Sequence, residues 1–236
     1  MILTFTLKQL KFFSVKVKFL YKYTKNSYNS ECECKGSDTL KYVNCINQIL
    51  INNNGIVTTS QITNANIPRV YLKNMVEKGD LIRIERGIYA YPTALEDEMF
   101  TLQSKYKKGI FSHATALFLH DLTDRTPMKY TMTFPLGYNA TSLKNENVKI
   151  THIKKDLYEI GVITMHSPFG REIQAYNVER TICDILKSRS DVDIQIITEA
   201  VKRYARLKGK NIPLLTEYAK LFRVEKKVRQ YLEVLL

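Results

Sequence analysis

Leu40, Val43, Ile46, Ile49 and Leu50 recur at three- and four-residue spacing, the pattern of one buried stripe on a helix. The spacing predicts that helix over about residues 39–52, with Ser37 or Asp38 as its cap. Asn53-Asn54-Gly55 ends it, the glycine supplying a left-handed conformation. Ile56-Val57 reads as a short extended link. Thr59 or Ser60 is expected to cap a helix of one to two turns that ends at Asn64 or Ala65. Asn66 is expected to cap the next helix, with Pro68 in its first turn, where a missing N–H costs nothing. That helix runs to Lys78, and Gly79 stops it. Two alternating runs follow, residues 81–85 and 87–91, around a tight turn at Glu85-Arg86-Gly87. Pro92 closes the second run.

Beyond Pro92 the period changes twice. A helix is predicted over about 94–107, then Gly109-Ile110-Phe111, then a helix over 112–120. Residues 130–134, 148–153, 161–165 and 172–176 read as short strands, with turn signals at Ser167-Pro168 and Phe169-Gly170. From Asn177 onward the period is helical, over 178–187, 192–207, 213–222 and 225–235. A sheet of four or five strands therefore precedes a group of helices. The order helix, turn, helix, hairpin is that of a winged helix-turn-helix. The fold class expected is α+β, an N-terminal winged helix-turn-helix followed by a mixed α/β C-terminal domain ending in a helical bundle. The boundaries read as 1–36, a poorly ordered basic extension; 37–92, the winged module; and 93–236, the α+β domain. There is no internal repeat and no low-complexity stretch.

Charge sharpens this outline. The 236 residues carry +13, which favours polyanionic partners. Residues 1–36 hold seven lysines against Glu31 and Glu33. Two readings of this segment stay open: a basic aromatic arm that touches nucleic acid or an anionic surface, or an upstream stretch translated because of where the start was assigned. Residues 14–20 alternate apolar and lysine, as an extra strand would, and the next methionine after Met1 is Met75. Residues 37–92 carry six Lys/Arg against four Asp/Glu, so charge there is placed rather than abundant. Binding by monomers or a dimer on paired half-sites would compensate.

Other classes are disfavoured. Lys8, Lys11, Lys16, Lys18 and Lys22 break every apolar run near the start, so neither a membrane span nor a signal peptide is expected. Of the four cysteines only Cys32 and Cys34 are close, while Cys45 and Cys183 sit in apolar helical patterns; no zinc set is completed. A reducing, cytoplasmic compartment follows. His113, His120, His152 and His166 form no chelating pair, and no phosphate loop or nucleophile elbow appears. Arg180 and Asp184, four residues apart, suit a helix-surface pair or an ion pair that holds the helix to the sheet. No enzyme, metal or cofactor is expected.

The chemistry expected lies on the helix of about 67–78. Tyr71, Leu72, Met75 and Val76 would face inward, leaving Arg69, Lys73 and Asn74 outward. In a major groove arginine can read guanine and asparagine adenine, while lysine meets phosphate. Arg83 and Arg86 on the hairpin suit the neighbouring backbone or minor groove. The candidate DNA-binding residues are thus Arg69, Lys73, Asn74, Arg83 and Arg86.

Three stretches together, VYLKNMVEKGDLIRIERGIYAYP (70–92), FSHATALFLHDLTDRTP (111–127) and YNVERTICDILKSR (176–189), resemble the AbiEi antitoxins of type IV toxin–antitoxin systems, bacterial abortive-infection and phage-defence proteins. The resemblance covers about residues 38–236. It implies a winged helix that binds inverted repeats in double-stranded DNA of its own promoter and represses the operon. It also implies a C-terminal domain that aids repression and counteracts a nucleotidyltransferase-like toxin, AbiEii, without a stable complex. The extension 1–36 departs from the family. The reading set against this one is a ligand-responsive winged-helix transcriptional regulator with no toxin partner.

Overall fold

The computed structural model of the protein describes residues 39–187 and 192–235. The basic extension, its alternating stretch 14–20, Cys32, Cys34 and the expected caps Ser37 and Asp38 lie outside the described residues. The fold is a mixture of helices with two antiparallel or mixed sheets.

Helix α1 spans Thr39–Asn52. Ile46 and Leu50 are fully buried, with Tyr42, Val43 and Ile49 packed partly against the same core. Leu40, expected on the stripe, is 75% exposed, and Cys45 is buried in its stead. Asn54 and Gly55 both take positive φ after the helix, as the Asn-Gly signal requires. The segment expected to be a link is strand β1, Ile56–Thr58, paired antiparallel to β3.

Helix α2 covers Thr59–Asn64, and its cap is Thr58 rather than Thr59 or Ser60. Gln61 decides this. Its Oε1 accepts from the Thr58 N–H at 2.9 Å while the Thr58 hydroxyl accepts from the Gln61 N–H, a reciprocal capping box. Asn66 does not cap the next helix. It occupies the left-handed region (φ 56°) and turns the chain, a conformation asparagine tolerates. Helix α3 therefore begins later, at Val70, and runs to Glu77. Strands β2 (Ile82–Glu85) and β3 (Ile88–Ala90) form the hairpin, with a register shift between Arg83 and Glu85 and Gly87 at φ 82°. The Thr59 N–H donates to the Gly87 carbonyl at 2.8 Å, which seats the hairpin turn on α2.

The second sheet has the order β6-β5-β4-β8-β7. Its strands are β4 (Ile110–Phe111), β5 (Tyr130–Pro135), β6 (Val148–Ile153), β7 (Val162–His166) and β8 (Glu172–Tyr176). The two-residue β4 is the central strand, parallel to β8 and antiparallel to β5. Helix α4 is Glu98–Lys105, shorter than expected, because the Asp97 carboxylate caps it by accepting from the Phe100 N–H at 3.0 Å. Helix α5 is His113–Leu119, and a one-turn α6, Lys155–Tyr158, and a 3-10 turn, Thr141–Asn145, add to the expected elements. Helices α7 (Val178–Ile185), α8 (Ile194–Arg206), α9 (Ile212–Leu221) and α10 (Glu225–Leu235) follow. Ile182, Cys183 and Ile185 of α7, Ala200 and Tyr204 of α8, and Leu215 and Ala219 of α9 share one core with Leu117 of α5.

Candidate nucleic-acid interface

Burial of Leu72 (1% exposed) and Met75 (4%) against α1 and α2 fixes the rotation of α3. Tyr71 and Val76 pack on the same side, as expected. Lys73 and Asn74 are consequently exposed. Lys73 Nζ lies 3.6 Å from the Glu77 carboxylate, one turn on; both side chains are mostly in solvent, so this pair is weak and screened. Lys73 is thus cheaply released to a stronger anion.

Arg69 differs from the expectation. It stands at the cap position ahead of α3, not on the helix face. Its Nε and one Nη donate to the Thr63 hydroxyl at 3.1 and 2.9 Å, and that hydroxyl donates to the Thr59 carbonyl at 2.8 Å. The guanidinium is exposed yet tethered across the turn to α2. Two of its donor groups are engaged, which leaves the remaining guanidinium N–H groups for another acceptor.

Arg83 and Arg86 are exposed on the hairpin. Arg83 Nε donates to the Glu85 carbonyl at 3.3 Å. Glu85 itself is answered by Lys105, whose Nζ stands 3.4 Å from one Glu85 oxygen and 2.6 Å from Glu146. The Glu146 hydrogen bond raises the Lys105 pKa, and Lys105 in turn holds the Glu146 carboxyl below its ordinary value. Lys105 is shared between Glu146 and Glu85, so it offsets the hairpin's one acid only in part, and Arg83 and Arg86 stay exposed beside it. Lys107 Nζ approaches the Ser60 hydroxyl of α2 at 3.2 Å. Neither lysine was singled out from sequence, because each is distant in the chain from the element it serves.

His113, His120, Cys183 and Arg180 make contacts within the fold. Nδ1 of His113 lies 3.1 Å from the Ser112 hydroxyl, and His120 Nε2 lies 2.7 Å from the Tyr176 carbonyl, to which it donates. Burial holds both imidazoles below their ordinary pKa; the Tyr176 carbonyl opposes this for His120. Cys183 is buried, and burial pushes its thiol up to about 12. The Arg180–Asp184 pair is not on a surface. Arg180 is fully buried, donates to Asp184 and to the Leu157 and Ile160 carbonyls, and stacks its guanidinium 3.7 Å from the Phe222 ring centroid. It ties α7 to α6 and α9. Among the described residues no three metal-binding side chains come together. Among them, too, no helix is long and apolar enough to cross a membrane.

Residues 46–92, from α1 to the end of the hairpin, match a family model described as a transcriptional regulator, AbiEi antitoxin. The match bears out the resemblance to AbiEi antitoxins and supports a role as antitoxin or regulator. It takes in the stretch 70–92; the stretches 111–127 and 176–189 lie outside it. Nothing among curated proteins matches the chain. Among solved structures, the crystal structure of the RV2827C protein from Mycobacterium tuberculosis is similar at 14% identity and a TM-score of 0.48, over 82% of this chain and 80% of that one.

Proposed function

We propose that this protein is a DNA-binding antitoxin that represses its own toxin–antitoxin operon and counteracts a nucleotidyltransferase-like toxin without forming a stable complex with it. Residues 37–92 act as a winged helix-turn-helix, and residues 93–236 as the antitoxin domain. The observation that carries the reading is the exposed face of α3, with Lys73 and Asn74 outward and its inner face closed by Leu72 and Met75, inside the segment that matches the AbiEi model. Helix α3 enters the major groove. Asn74 reads a base edge, Lys73 and Arg69 hold phosphate, and Arg83 and Arg86 reach the flanking backbone or minor groove. The target is an inverted repeat in the protein's own promoter, bound by monomers or a dimer on its half-sites.

The test has two arms. Gel shifts with the DNA upstream of the gene, at several salt concentrations, should give specific binding that weakens as salt rises. Lys73→Ala should weaken binding to all sequences and flatten the salt slope by about 0.9, while Asn74→Ala should relax discrimination at one base position. Undiminished binding by both variants would refute the assignment of α3. A nucleotidyltransferase-like reading frame should lie immediately downstream; co-expression with it should restore growth, and residues 93–236 alone should retain part of that rescue.

A further inference from the structure

We infer that Arg171 is a positioning residue that locks the helix-turn-helix segment to the five-stranded sheet, so that DNA meets one rigid body. Arg171 lies after the β7–β8 turn and is only 4% exposed. Its Nη1 donates to Asp97 Oδ2 at 3.1 Å, and Asp97 is 1% exposed. Its Nη2 donates to the Asn54 carbonyl at 2.8 Å and to the Leu95 carbonyl at 3.3 Å. One planar fork thus spans the end of α1, the connection ahead of α4, and the turn between β7 and β8. Ser167 completes the knot. Its hydroxyl donates to Asp97 Oδ2 at 2.5 Å and accepts from the Arg171 N–H at 3.2 Å. Asn54, at φ 52°, returns the contact by donating its side-chain amide to the Phe169 and Gly170 carbonyls at 3.3 and 3.2 Å.

The Arg171–Asp97 pair is buried within residues 93–236 and aims the guanidinium, whose bond across to the Asn54 carbonyl is part-buried, while the two Asn54 amide bonds are exposed. Lys105–Glu85 and Lys107–Ser60 are exposed, so solvent and salt weaken them. Phe100 packs against both the hairpin core and the sheet core, but an apolar contact does not by itself select one orientation. Taking Arg171 and Asp97 out of water is costly, and each is tolerated only with the other in place. Fixed donor directions then select the single arrangement in which Asn54, Leu95 and Asp97 all fall within reach. Arg171→Lys keeps the charge for Asp97 and loses the fork.

The consequence for DNA rests on the reading proposed above, but the rigidity itself does not. Spin labels at Gln48→Cys on α1 and His152→Cys on β6, in a chain with Cys32→Ser and Cys34→Ser, should give one narrow distance distribution in the otherwise native protein. Arg171→Lys should broaden it while leaving a cooperative melt, and should weaken operator binding by about tenfold through lost preorganisation. The charge-free double variant Asp97→Asn/Arg171→Met, with no buried unpaired ion, should broaden the distribution likewise. A narrow, unshifted distribution in either folded variant overturns the proposal. Absence of specific DNA binding by the native protein would sink the functional reading alone, and the distance distributions would still decide the role of Arg171.

Discussion

Arg180 and Asp184 meet at 2.9 Å one turn apart on α7, with side chains 0% and 2% exposed. Lys187 approaches the other Asp184 oxygen from the next turn at 2.5 Å, and Tyr176 and Phe222 lie against the guanidinium. Removing Arg180 leaves Asp184 to Lys187 alone and takes the donor from the Leu157 and Ile160 carbonyls. Arg180→Met should therefore cost about 3–5 kcal/mol in urea unfolding. The paired change Arg180→Met/Asp184→Leu should recover part of the loss, because it leaves no buried ion. A single-variant loss near zero would contradict the burial described for this helix.

Acid should loosen the protein through His113 and His120. Burial depresses both folded pKa values below the ordinary histidine value of about 6.5. Between the depressed folded values and about 6.5 the unfolded chain binds more protons than the native one, so stability rises with pH and falls on acidification. The groups facing His113 include Asp184, which opposes the shift, and Lys187, Lys149 and Arg180, which reinforce it. Melting temperature should drop from pH 7.5 to 5.5. His120→Gln, which keeps a donor for the Tyr176 carbonyl, should flatten that drop. The depressed carboxyls of Asp124 and Glu146 act only in more acidic solution, as they protonate, and do not confuse this window.

Arg69 and Thr63 give a way to separate a phosphate contact from a structural tether. Arg69→Ala removes both the charge and the two bonds to the Thr63 hydroxyl. Thr63→Val removes the acceptor and leaves the charge. If Arg69 serves DNA directly, Thr63→Val should bind the operator within about threefold of the native protein, whereas Arg69→Ala should lose tenfold or more with a flatter salt slope. Equal losses in both, at an unchanged slope, would make Arg69 a tether for α3 only.

Which features could be read from sequence follows from the range of the interactions that set them. The helices flanking Asn66 announced themselves through cap and stop residues, although Asn66 itself turns the chain instead of capping, and the hairpin announced itself through Gly87. The start of α4 did not, because residues 94–97 are as compatible with a helix as those after them, and only the Asp97 bond to the Phe100 N–H decides. Strand β4 is two residues long, and alternation cannot be recognised over two positions, although it is the centre of its sheet. The i,i+4 spacing of Arg180 and Asp184 is the same for an exposed pair and a buried one. Arg171 and Asp97 are 74 positions apart, and nothing local in either segment marks the partnership. For the candidate interface, the exposed face of α3 was legible from its period. The tether on Arg69 and the offset of Glu85 by Lys105 were not, since each depends on a partner from another element.

Gly109 offers the sharpest check on the sheet core. It immediately precedes β4, and a Cβ built there would come within 2.4 Å of Met132 Cε and 2.8 Å of Phe134 Cζ, both on β5. The Met132 methyl end is flexible and can withdraw. The Phe134 ring cannot do so freely, because it is fully buried and stacks on Tyr138 at 4.6 Å between centroids. The Gly109 carbonyl also accepts from the Gln103 amide at 2.8 Å, so the backbone is held from the α4 side as well. Gly109→Ala should therefore act as overpacking and destabilise by about 1–3 kcal/mol in chemical denaturation. Adding Phe134→Leu makes room at the ring and should restore part of that loss, although Phe134→Leu alone is destabilising. Such a sign reversal in a double-mutant cycle is the mark of a shared space. Additive losses would mean that the strain at Gly109 is relieved elsewhere, and that β4 and β5 are less closely packed than described.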